Sequence, residues 1–147
     1  MVKREHLSDG SWLLTRERAE VYFSVPKPSV VVIAASGPGD TLVDDVVLEM
    51  LGEEAVRSRP LKIFADLSTQ TRIAGETREK ASAWAKGHRT HVEATHLLVR
   101  SKLVEMAFSV IGMLVSGHFK LYSNGDEFYS VLRAEVPDFK AARPTIP

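Results

Sequence analysis

Hydrophobic and polar positions fall into short blocks along this chain, and the period of the blocks changes from two to about three and a half. Trp12–Thr15 and Val21–Val25 are rich in aromatic and branched side chains, with the charged residues Arg16, Glu17, Arg18 and Glu20 between them. They predict two short strands. Pro26-Lys27-Pro28 then interrupts any ladder. Val30–Ala35, VVVIAA, has no polar position, the pattern of a central strand covered on both faces. From Thr41 the period lengthens: Leu42, Val43, Val46, Val47, Met50 and Leu51 form one helical stripe. Asp40 or Thr41 is placed to cap this helix, and Thr41 with Asp44 matches a capping box. Asp44 and Asp45 at its start and Arg57 near its end suit the helix dipole.

Leu61, Ile63 and Ala65 alternate with Lys62, Phe64 and Asp66, so a strand is predicted that closes at Asp66. Ser68, Thr69 and Thr71 then fall in the turn before a helix expected over Arg72–Lys86. Its apolar line is Ile73, Thr77, Ala81 and Trp84, Glu76 and Lys80 form an i,i+4 pair in the favourable order, and Gly87 is a stop. Residues 88–94 carry no clear period, and the helix can extend through them. Leu97–Arg100 predicts the next strand, Ser101 a cap, and Lys102–Ser116 a helix ended by Gly117. That helix is apolar nearly all round, so it is buried on two sides or hands one side to a partner. Phe119–Tyr122 predicts the last strand. Ser123-Asn124-Gly125 turns into a final helix with Phe128, Val131 and Leu132 inward, and the proline-bearing residues 135–147 read as a tail.

The order β-β-β-α-β-α-β-α-β-α predicts an α/β fold with a mixed, mostly parallel sheet and about four helices. Four strands are parallel and the first ones are antiparallel to them at an edge. One domain is expected over residues 1–147, with its core at about 12–134.

Composition narrows the function classes. A chain of 147 residues, 44% hydrophobic and 26% charged, is long enough for one well-formed core. Lysine and arginine total 19, as do aspartate and glutamate, so the basic surplus of a nucleic-acid binder is missing. Zero net charge also removes a barrier to self-association. With the apolar helix Lys102–Ser116 it predicts a homodimer through that helix. The absence of cysteine excludes disulfides, zinc–thiolate sites, iron–sulfur clusters and cysteine nucleophiles. MVKREHLSDG has no apolar core of a secretory signal, and Leu103–Val115 is too short and too broken by Glu105, Ser109 and Gly112 to span a membrane. The expected compartment is the cytoplasm.

Chemistry-bearing motifs are few. The glycine-rich turn Ser36-Gly37-Pro38-Gly39-Asp40 fits neither G-x-G-x-x-G, since residue 42 is leucine, nor a P-loop, which needs a lysine. It reads as a structural turn. His88, His91 and His96 match no ligand spacing and read as solvated histidines at a helix end. No G-x-S-x-G occurs, and no cluster of titratable groups assembles, so neither a catalytic residue nor a cofactor is assigned. Asp66, Ser68, Thr69 and Thr71 carry more weight. They fall where a parallel strand meets a helix, the end of open α/β sheets that favours ligands. A helix start also welcomes an anion, including a phosphate on a hydroxyl. The same residue types are ordinary helix caps.

Phe64-Ala65-Asp66-Leu67-Ser68-Thr69-Gln70-Thr71-Arg72-Ile73-Ala74-Gly75 resembles the F-x-D-S-S-G stretch of the anti-sigma-factor antagonists. Phe64, Asp66, Ser68, Ile73 and Gly75 align without a gap, whereas Leu67 replaces the first serine and Thr69 the glycine. With the order of elements, this resembles the STAS domain, and more closely the uncharacterised bacterial SpoIIAA-like proteins, over roughly residues 12–134. The resemblance implies a non-enzymatic regulatory or protein-interaction module, switched by phosphorylation at Ser68, with an unidentified protein partner docking on the face of Asp66–Thr71. A second implication follows from the similarity of such folds to lipid-carrier domains: a small-molecule or lipid-binding module with its pocket under Lys102–Ser116.

Overall fold

Seven strands form one sheet whose spatial order is the order of the chain, β1 to β7. The elements are β1 (Lys3–His6), β2 (Trp12–Arg16), β3 (Ala19–Lys27), β4 (Val30–Pro38), α1 (Thr41–Ser58), β5 (Leu61–Arg72), α2 (Thr77–Gly87), β6 (Val92–Leu98), α3 (Lys102–Gly112), β7 (His118–Tyr122) and α4 (Gly125–Glu135). This computed structural model describes residues 1–112 and 117–140. The end of the expected Lys102–Ser116 helix and the last part of the tail lie outside the described residues. β1 to β4 are an antiparallel meander, and β4 to β7 are parallel. The α/β class, the four parallel strands and the antiparallel edge match the sequence expectation.

Period-two alternation sorts the side chains of the central strands onto two faces. Val31, Ile33 and Ala35 of β4 and Leu61, Ile63, Ala65 and Leu67 of β5 join the core under α1, α2 and α3. Val30, Val32 and Ala34 with Phe64 face the other way, toward Phe128 and Leu132 of α4. Both faces of β4 are therefore buried, as its unbroken apolar run predicts. Asp40 caps α1, accepting from the N–H groups of Leu42 and Val43, and Asn124 caps α4 in the same way. The capping box does not form, because Asp44 turns inward to Thr77.

Four sequence expectations are corrected. β1 was not expected, because Lys3-Arg4-Glu5-His6 has no apolar position; charges of this kind belong on an outer strand. β5 does not close at Asp66 but runs to Arg72, paired with Ser36–Pro38 of β4. Ser68, Thr69 and Thr71 are therefore strand residues, and α2 begins only at Thr77, with no side-chain cap. β6 is Val92–Leu98 rather than Leu97–Arg100; its polar members Glu93, Thr95 and His96 mask the alternation. His96 is buried on that strand rather than solvated at a helix end.

Two glycines at the C-terminal end of β4 have structural tasks. Gly37 has φ +77°, and a Cβ there would stand 2.2 Å from the Arg18 carbonyl oxygen. A Cβ on Gly39 would meet Ala74 N at 2.7 Å and Arg72 O at 2.8 Å. Both are close backbone crossings that only glycine allows, and Ser36–Pro38, expected as a turn, belong to β4.

Candidate functional site

The far end of β5 presents different chemistry on its two faces. Toward α4, Asp66 is 5% exposed. Its Oδ1 accepts from Ser68 N at 2.9 Å and Ser68 Oγ at 2.5 Å, and its Oδ2 accepts from the Tyr129 hydroxyl. Asp66 and Ser68 are thus brought together, and Ser68 is half-buried with its hydroxyl engaged. Thr69 and Thr71 are exposed, and Thr69 Oγ1 donates to Ala35 O at 3.3 Å. Among the described ladders, β5 pairs with β6 only as far as Asp66, so Leu67–Arg72 has a strand partner on the β4 side alone.

Toward α1 and α2, β5 forms the floor of a cavity of about 160 Å3. Ile33, Ala35, Ile63, Ala65, Leu67 and Leu97 supply the floor; Val47, Leu48 and Leu51 of α1 and Ala81, Trp84 and Ala85 of α2 supply the roof. Phe108 of α3 and Phe119 of β7 close one side. The roof follows from helical spacing. Asp44, Val47, Leu48 and Leu51 recur at i, i+3, i+4 and i+7, as Thr77, Ala81, Trp84 and His88 nearly do. Small side chains at 35, 65, 81 and 85 leave the space between the layers open.

Seven residues with polar side chains line this otherwise apolar space: Asp44, Gln70, Thr77, Trp84, His88, Arg89 and Thr95. Asp44 Oδ2 accepts from Thr77 Oγ1 at 2.6 Å. Burial pushes the Asp44 carboxyl up to about 6; the Thr77 hydrogen bond opposes the rise, and Asp40 and Asp45 add to it. Gln70 is 8% exposed and its Oε1 is buried without a hydrogen-bond partner. Trp84 Nε1 is likewise buried and unpartnered, and lies against Gly52 together with His88 Nε2. Contacts of Asp44 with Thr77 and of Gly52 with Trp84 and His88 show that α1 and α2 run side by side in one direction. Asp44, Thr77 and Gln70 accordingly gather at the C-terminal end of the parallel strands, and Trp84 and His88 at the other.

The three histidines expected to bind no metal stand apart in role. His88 stacks on Trp84 with ring centroids 4.1 Å apart, His91 meets His88 edge-on, and His96 stacks on Phe64 at 4.5 Å. Among the described residues no group of metal-ligating side chains assembles. His96 Nδ1 lies 2.7 Å from the Tyr122 hydroxyl. Burial lowers its pKa, and the nearby charges of His118 and Lys120 lower it further. No helix among the described residues is long and apolar enough to cross a membrane.

No protein-family model matches the chain, and no curated protein matches it in sequence. One solved structure aligns over 80% of this chain and 98% of its own, with a TM-score of 0.62 at 10% identity. It is an uncharacterised protein of the DUF3478 family from Shewanella loihica PV-4, with a SpoIIAA-like fold. The present fold is SpoIIAA-like. At such identity the likeness carries the architecture and no activity.

Within this SpoIIAA-like fold, sequence reasoning found the Asp66–Ser68 pair and the Thr77, Ala81, Trp84 line but missed the site those three help to form. In the sequence Asp44 reads as a helix-start acid. Its place one turn before Val47 and Leu48, on the inward stripe, is the signal that marks it. Gln70 carries no such signal, because the hydroxyl-rich run 68–71 resembles a capped turn rather than a strand.

Proposed function

We propose that this protein is a small-molecule binding module whose ligand occupies the cavity between the sheet and the α1–α2 pair. The observation that supports this reading most is the apolar-walled space itself, with Asp44, Gln70 and Thr77 among the residues that line it. A ring-sized occupant would replace water on these apolar walls with direct contacts, at about 25 cal/mol per Å2 of apolar surface removed from water. The size is that of a single substituted ring, since about 150 Å3 accommodates benzene; a whole lipid is too large. Saturation-transfer NMR with toluene tests the reading. Transfer to toluene from the protein, abolished by Ala81→Leu, is the expected result; no transfer from the unmodified protein sinks it.

A second reading, a phospho-switched interaction domain, is favoured by one further observation: the exposed Thr69 and Thr71 lie on a strand end with a ladder partner on one side only. An extended partner segment can add to such an edge. A phosphate on Ser68 would stand beside the Asp66 carboxylate and break the Ser68–Asp66 bond. Intact mass of the protein from its own cells, with fragmentation across residues 61–80, decides this. An added phosphate on Ser68 or Thr69 supports the switch, and an unmodified mass across growth conditions removes it. A homodimer through α3, where Leu103 and Met106 are exposed, is tested by light scattering; a monomer at high micromolar concentration removes that proposal.

A further inference from the structure

One wall of the cavity rests on a close contact with a glycine. Phe119 lies on β7, the outermost parallel strand, opposite Thr95 of β6. Alternation along β7 turns it, with Leu121, toward the core under the helices. Gly112 is the last residue of α3 among the described residues, four after Phe108, so the two share a face of that helix. A Cβ on Gly112 would lie 2.5, 2.6 and 3.0 Å from Cε1, Cδ1 and Cζ of the Phe119 ring. The ring therefore occupies the space that a side chain at 112 would need. Glycine weakens a helix, and this contact accounts for its use here. Phe108 and Phe119 both line the cavity, and both are half-buried. The floor residues Ile63, Ala65 and Leu97 are buried on strands with a neighbour on each side. Phe119 is a large side chain on an edge strand, and so has more freedom to move than the floor.

We propose, resting on the reading of this cavity as a ligand site, that the Phe119 ring is the wall that limits the occupant to a single ring, and that the bare backbone at Gly112 holds this wall clear of the ligand. The class admitted is then monocyclic apolar molecules, with fused two-ring molecules excluded. The limit is steric and does not depend on the head group of the ligand, because Phe108 and Phe119 present hydrocarbon only. A methyl group at 112 forces the ring off its seat. Movement outward would carry more of the ring into water, whereas movement inward keeps it among apolar walls. The ring accordingly swings in and shortens the cavity. Truncating Phe119 opens the same side and lengthens it.

NMR titration of the full chain with toluene and with naphthalene tests the wall in four proteins: unmodified, Gly112→Ala, Phe119→Ala and the double variant. The unmodified protein is expected to bind naphthalene at least about tenfold more weakly than toluene. Phe119→Ala is expected to remove or reverse that preference. Gly112→Ala is expected to weaken toluene at least about tenfold. In the Phe119→Ala background the same change should have little effect, since no ring remains to be displaced. That non-additivity separates a wall moved by residue 112 from a general loosening of α3. Naphthalene still refused by Phe119→Ala overturns the size rule, and so does an equal loss of toluene from Gly112→Ala in both backgrounds; in either case toluene bound by the unmodified protein leaves the cavity reading intact. Where melting shows that Gly112→Ala does not fold, the naphthalene result with Phe119→Ala decides alone. No toluene binding by the unmodified protein overturns both readings.

Discussion

The two faces of the sheet solve the problem of covering β4 and β5 in opposite ways. On the α4 side the cover is aromatic. Phe128 sits edge-on to Phe64 at 6.1 Å, to Tyr122 at 5.6 Å and to Tyr129 at 5.0 Å, and His96 stacks on Phe64. The polar atoms carried by this cluster find one another: Tyr129 with Asp66, and His96 with Tyr122. On the α1–α2 side the cover is aliphatic with alanines at facing positions, and it leaves space together with polar atoms that no protein group meets. One strand, β5, serves both. Phe64 and Asp66 belong to the filled face, and Ala65, Leu67 and Gln70 to the open one. The lesson is that burial alone does not equal packing; both faces are buried, but only one is complementary.

That contrast can be broken by mutation, with the largest effect on the filled face. Phe128→Ala should cost about 3–5 kcal/mol in urea unfolding, because large aromatic truncations leave a cavity the core cannot close; a loss below about 1 kcal/mol would mean the α4 face is also loosely filled. The next effect in size concerns Asp44. Its folded-state pKa is raised from 3.8 to about 6. The stability this carboxyl contributes is full below 3.8 and is lost as pH rises through about 6. Asp44→Asn should therefore raise stability at pH 7.5 by up to about 3 kcal/mol, at ~1.4 kcal/mol per pKa unit. It should also flatten the melting temperature between pH 4 and 6; an unchanged slope in that window would place the titrating acid elsewhere.

His96 on the other face should respond with the opposite sign. Its folded-state pKa is lowered by burial, so its contribution is present above the ordinary 6.5 and lost as pH falls through it. An NMR titration in which the His96 ring protonates above 6.5 would contradict the burial described for it. Ala81→Leu, filling space rather than emptying it, should gain about 1 kcal/mol; a loss would show that the open face is already well packed. The smallest change is at the strand end. Ser68→Ala should lose about 1 kcal/mol with its bond to Asp66, while the exposed Thr71→Ala should stay within about 0.5 kcal/mol.

Most of the architecture was legible in the sequence where one period ruled a whole segment. Val30–Ala35, the stripe of α1 and the Phe128, Leu132 pair of α4 were read correctly because burial and periodicity agree there. Legibility failed where polar residues occupy strand positions. Lys3–His6 is polar because it sits at an edge. Ser68–Arg72 resembles a capped turn because serine and threonine suit both settings, and only the ladder to Ser36–Pro38 decides between them. His96 reads as solvated because no local pattern shows that Phe64 and Tyr122 will enclose it. The cavity was beyond sequence reading for a similar reason. Asp44, Gln70 and Trp84 come from three elements, and only the parallel run of α1 and α2 over β5 collects them.

The sequential strand order has a consequence for how the chain acquires its structure. Every ladder joins neighbours in the chain, so no strand must wait for a distant one before its hydrogen bonds form. A hairpin starts the sheet, and each later strand can add to the growing edge as it emerges from synthesis, bringing its crossover helix with it. The order of residues is then also an order of assembly. A chain arrested after α2 would contain both strands and both helices that form the floor and roof of the cavity, while the aromatic face would still await α4.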